Sequence, residues 1–150
     1  MAKTKNKYIV PVDKDKIIKI NPKEHPPDLK YAIDYVISEG MPVKTATDGI
    51  VVEVKDDSNI TGPTREEFEK YGNYIEILHP NNEYAEYHHL KKGGAFVKTG
   101  EKVKKGQVIG LSGNTGWSTI GPHLHFMVYK YIDKNNKNKW KNLEIVFEKE

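Results

Sequence analysis

Short runs of β-branched, aliphatic and aromatic residues recur along the chain, at 8–10, 17–20, 31–36, 42–45, 49–54, 73–78, 83–89, 107–111 and 123–131. Gly, Asn, Asp or Pro stands between them, so each run reads as a strand bounded by turn residues. Many short strands with tight turns imply a mostly β fold, an antiparallel sheet or sandwich. Only 63–71 reads as helix in the body of the chain, with Thr64 as N-cap and Glu67 completing a capping box. The segment 140–147 adds a turn or a strand. The pair Asp48-Gly49 predicts a hairpin turn. The glycines of 100–110 predict positive φ where the chain reverses. No repeat or linker interrupts the pattern. Residues 1–150 are therefore expected to form one domain, with its core at about 25–130 and extensions at both ends.

The 150 residues include no Cys, which excludes disulfides and thiolate metal sites. Any transition metal must use His, Asp or Glu. The net charge of +3 is small, and Lys and Glu are interspersed. Basic stretches at 91–92, 104–105 and 134–141 read as solvated surface with at most a mild pull toward anionic polymers. No basic pattern interleaved with aromatics points to nucleic acid. No apolar run approaches the length of a membrane span. Residues 1–7 are basic, but no apolar stretch follows, so they do not make a complete signal peptide.

The chemistry concentrates in histidine. In a strand, residues i and i+2 share a face, so His123 and His125 project together while Leu124, Phe126 and Val128 face a core. Two such imidazoles suit a zinc site, and they also suit a plain polar strand face. A hydrolytic zinc site needs three protein ligands and one open position. Asp34 lies in an otherwise apolar strand, where an unpaired charge is costly, so a cation, a lysine or a backbone amide must face it. His25 stands in a loop stiffened by Pro26 and Pro27. Taken alone, a loop histidine reads as exposed. Strand alternation lets only one of His88 and His89 face a given site: Ala85, Tyr87 and His89 share one face, and Tyr84, Glu86 and His88 the other. His79, beside Pro80, reads as a surface residue at a turn.

Taken in order, the segments 31–35, 40–51, 71–80, 84–90, 100–110, 112–116 and 121–126 resemble the lysostaphin-type (LytM-like) zinc endopeptidases that cut peptidoglycan. The resemblance runs from about His25 to Tyr129. It implies a barrel-sandwich-like β core with one short helix. It implies one zinc per chain, held by His25, Asp34 and His125, with His89 and His123 flanking the attacked carbonyl and its water. The substrate it implies is a peptidoglycan cross-link or stem peptide, met outside the cell, in the periplasm or at the wall. A monomer with no nucleic-acid partner and no membrane span is expected. The commonest family spacing puts the first ligand four residues before the Asp, where this chain has Lys30. His25 instead suits relatives whose histidine lies further upstream. A second departure is Ile120, in a loop that would form part of the groove wall.

Tyr31, Tyr35, Tyr74, Tyr87 and the loop 114–120 are groove candidates, with packing as the other role open to the tyrosines; the resemblance puts Asn73 near the metal. No His-Glu-x-x-His glutamate is present, so acid–base work would fall to histidine. Two other readings compete. One is a non-catalytic relative that docks to cell wall or regulates a hydrolase. The other is a lipoyl- or biotinyl-type carrier, suggested by the 100–110 turn, which leaves the paired histidines unexplained.

Overall fold

The computed structural model describes residues 3–21 and 25–149. Its strands are β1 (Lys3–Tyr8), β2 (Lys19–Ile20), β3 (Ile33–Val36), β4 (Pro42–Lys44), β5 (Gly49–Lys55), β6 (Thr61–Gly62), β7 (Tyr74–His79), β8 (Glu83–His88), β9 (Leu90–Ala95), β10 (Lys102–Val103), β11 (Val108–Ser112), β12 (Gly116–Trp117), β13 (His123–Asp133) and β14 (Asn136–Phe147). One α-helix, α1 (Arg65–Phe68), precedes β7.

The main sheet runs β1-β14-β13-β8-β7-β5-β10, with β3 also on β13 and β2 on β3. A smaller sheet, β4-β11-β9, packs against it, and β6 pairs with β12. The fold is mostly β, as the period-two pattern predicts. Alternation along β13 divides its labour. Leu124, Phe126 and Val128 are fully buried in the main core with Tyr35, Ile75, Ile77 and Tyr87. His123, His125, Met127 and Tyr129 occupy the other face. Burying each of the three apolar side chains is worth roughly 1.5–3 kcal/mol, so the register of β13 is strongly specified. The core also takes in Tyr8, Val12 and Leu143, and so reaches beyond 25–130.

Several local expectations are corrected. The first strand is Lys3–Tyr8, upstream of 8–10, and it pairs parallel with β14. The β6–β12 pair is also parallel. Asp48-Gly49 makes no hairpin, because β4 and β5 belong to different sheets and residues 45–48 carry the chain between them. Gly49 is required for another reason: a Cβ there would stand 2.7 Å from the Leu78 carbonyl oxygen. Gly100 and Gly106 do adopt positive φ, +92° and +85°. The helix is one turn long, with a 3-10 turn (Glu69–Tyr71) after it. Thr64 holds the N-cap position, but its side chain makes no capping bond. The tail is a full twelve-residue strand laid antiparallel along β13.

His79 is buried, not at the surface. It closes a chain of hydrogen bonds: Ala46 N–H donates to the Tyr87 hydroxyl, which donates to His79 Nε2 (3.2 Å), while Nδ1 donates to the Asp48 carbonyl (2.8 Å). The ring is therefore held neutral, and burial pushes its pKa down to about 4.

Candidate metal centre

Strands β3 and β13 are antiparallel neighbours with Asp34 directly opposite His125, which puts both side chains on the non-core face. His125 Nδ1 lies 3.0 Å from Asp34 Oδ1. His25 enters from a loop, and its Nε2 lies 3.0 Å from Asp34 Oδ2. One ligand atom from each of His25, Asp34 and His125 lies within 4.8 Å of the others. Lys30 stays outside this cluster, with its Nζ over the Tyr31 ring.

Asp34 is buried, and its ion-pair partners among the described residues are imidazoles: His25, His125 and, at 3.8 Å, His123. Burial alone would raise its pKa. Hydrogen bonds from His125 and His25 outweigh that and hold the carboxyl well below the usual range. A buried carboxylate faced by neutral-capable nitrogens is the donor chemistry of a divalent cation site.

His123 is also buried. Its Nδ1 donates to the Gly121 carbonyl at 2.9 Å, which turns Nε2 toward the cleft, 3.8 Å from Asp34 Oδ1. His89 Nδ1 likewise donates to the Thr115 carbonyl, at 2.5 Å. The two rings lie 4.3 Å apart, centroid to centroid. Burial lowers the pKa of both; His89 falls furthest because His88, His123 and His125 crowd it as well.

The expectation that only one of His88 and His89 faces the site does not hold, since both line the cleft. His89 sits between β8 and β9 with φ +71°, a left-handed backbone that breaks the alternation and swings its ring away from the face of Ala85 and Tyr87. His88 pairs with Glu86 and stacks on Tyr74 at 5.7 Å.

The cleft has a volume of about 940 Å³. Of the groove candidates, Tyr74 and residues 117–120 line it, including Ile120. Tyr35 and Tyr87 are core residues, and Tyr31 is not in the lining. Asn73 is fully buried and satisfies backbone groups of Ser58 and Leu90. Sequence reasoning missed Glu86, Arg65 and Trp140 in the walls. Only Glu86 had a signal, sharing a strand face with His88.

The family model described as Peptidase family M23 matches residues 28–140. The chain belongs to peptidase family M23. Asp34, His89, His123 and His125 lie inside the matched span of this M23 chain, and His25 stands three residues before it. The peptidoglycan DD-endopeptidase ShyA of Vibrio cholerae is 43% identical over 93 residues, covering 62% of this chain and 18% of that protein. Among solved structures, lysostaphin from Staphylococcus simulans superposes with a TM-score of 0.60 at 32% identity, covering 83% of this chain and 46% of that one. A zinc-containing peptidase from Vibrio cholerae gives a TM-score of 0.58, also at 32% identity, over 82% of this chain and 36% of that one. The M23 chain spans about a third or less of the length of the curated relatives it matches. Among the described residues, no helix is long and apolar enough to cross a membrane.

Proposed function

We propose that this M23 chain is a zinc-dependent endopeptidase that hydrolyses peptide bonds in peptidoglycan, cross-link or stem peptide. The observation that supports it best is the convergence of His25, Asp34 and His125, two imidazoles and one carboxylate, within 4.8 Å at the floor of an open cleft. The residues fit zinc: the donor set is of hydrolytic type, and the buried carboxylate lacks a lysine or arginine partner among its described ion pairs. When bound there, zinc would supply Lewis-acid polarisation of the scissile carbonyl and acidify water.

The remaining work belongs to His89 and His123. Each Nδ1–H is committed to a backbone carbonyl, so each Nε2 begins as an acceptor. Burial keeps both rings neutral near neutral pH. The imidazole that takes the proton from the attacking water becomes a donor and hands that proton to the leaving amine. A protonated imidazole within reach also stabilises the carbonyl oxygen as it gains charge, an effect worth roughly 3–4 kcal/mol of barrier. The side walls offer aromatic and backbone groups to an extended peptide.

The peptidoglycan substrate rests on the names of the relatives, and with it a place of action in the periplasm, at the wall or outside the cell. The non-catalytic reading finds no missing ligand or imidazole to support it. The test is metal analysis together with digestion of purified sacculi. One zinc per chain and new peptide amino termini are expected, both lost in His125→Ala. A zinc-loaded protein that leaves sacculi and isolated muropeptides intact would overturn the endopeptidase reading.

A further inference from the structure

The cleft is bridged. Its floor is β13 and β8, and its two flanks come from segments distant in the chain. On one flank, the loop bearing His25 runs through a 3-10 turn (Pro27–Leu29) into β3. On the other, α1 lies against the β6–β12 pair. Arg65, the first residue of α1, reaches across to Asp28: Nη1 donates to Oδ1 at 3.1 Å and Nη2 to Oδ2 at 2.6 Å. Arg65 is fixed on its own side as well. Its Nε donates to Glu69 Oε2 at 2.8 Å, and its guanidinium lies over the Trp117 ring, 5.5 Å from the centroid.

Why this matters follows from the spacing of the ligands. Asp34 and His125 are set by a strand ladder, so their proximity is a product of sheet register. His25 lies nine positions before Asp34 and belongs to no strand. Its loop is held from within by buried Leu29 and by the Tyr31 amide donating to Asn142 Oδ1. Asp28, three residues after His25, is the point where the opposite wall grips the loop.

We infer that Arg65 is a positioning residue for His25, clamping the His25 loop through Asp28 so that the imidazole stays in coordinating range of Asp34 and His125. An exposed ion pair alone is worth little. This one is bidentate, and its guanidinium is pre-oriented by Glu69 and Trp117, so less freedom is lost in forming it. The inference rests on His25 being a zinc ligand.

The experiment is zinc affinity of the purified chain by competition with a chromophoric chelator, with apo-protein melting as the check on folding. Arg65→Ala and Asp28→Asn are expected to weaken zinc binding about 3- to 10-fold, and Arg65→Lys by less, with the apo melting temperature little changed. Affinities within twofold of wild type for both Arg65→Ala and Asp28→Asn would overturn the clamp. Should Arg65→Ala fail to fold, Arg65→Lys and Asp28→Asn decide. His25→Ala is run alongside. If it keeps wild-type zinc affinity, the ligand assignment itself fails; if it loses zinc while the Arg65 variants do not, only the clamp fails.

Discussion

His25 Nε2 stands 3.0 Å from Asp34 Oδ2, although nine positions separate the two residues. The matching contact between His125 and Asp34 spans 91 positions and has the same length. The longer separation is the more tightly built of the two, because a ladder of paired strands sets it. The loop contact has to be assembled side chain by side chain.

Metal removal should therefore act on stability as well as activity. A ligand that binds only the folded state, present at 100 times its dissociation constant, stabilises by about 2.7 kcal/mol. For a chain of this size that corresponds to roughly 5–10 °C in melting temperature. Chelation should lower the melting temperature by that order, and added zinc should restore it. His125→Ala should show no response to either treatment.

His89→Ala and His123→Ala should each keep zinc and lose roughly 10²- to 10³-fold in turnover on muropeptides, measured by chromatography of released products. His89 also carries a left-handed backbone. His89→Asn separates the two roles, since Asn tolerates that conformation. It should fold as well as wild type and remain as inactive as His89→Ala.

The buried ring of His79 makes stability fall with acid. Its pKa is about 4 in the folded chain against an ordinary 6.5, so between those values the unfolded chain binds more protons. The contribution is fully present above about pH 6.5 and disappears as the pH drops toward 4. Its size is on the order of 3 kcal/mol. Urea unfolding of wild type and His79→Gln at pH 7 and pH 4.5 should show a shallower loss in the variant. Equal losses would remove His79 as the cause.

Gly116 has φ +88°, and a Cβ there would meet Gly72 Cα at 2.5 Å. Gly116→Ala should cost about 1–3 kcal/mol by denaturant unfolding. It should also lower turnover, because the next residue back, Thr115, carries the carbonyl that orients His89.

Much of this was legible in the residues. The period-two runs located most strands, and the His-x-His alternation correctly set Leu124 and Phe126 against His123 and His125. Three things were hidden. β9, with the sequence Leu-Lys-Lys-Gly-Gly-Ala, has little strand propensity and is made by pairing with β11. Asp48-Gly49 has hairpin chemistry, but tertiary packing sends its flanking strands to different sheets. His89 breaks alternation through a positive φ on a residue that rarely adopts one. His79 and Arg65 were invisible for a simpler reason: Asp48, which fixes the one, and Asp28, which holds the other, are distant in sequence, and no local pattern announces such a meeting.

The double duty of β13 means that the molecule checks its own assembly. Were that strand to slip by one place against its neighbours, the imidazoles would be driven into oil and Leu124 and Phe126 thrust into water. A misaligned chain cannot survive as a well-folded but idle protein, since the error that disarms it also dissolves it.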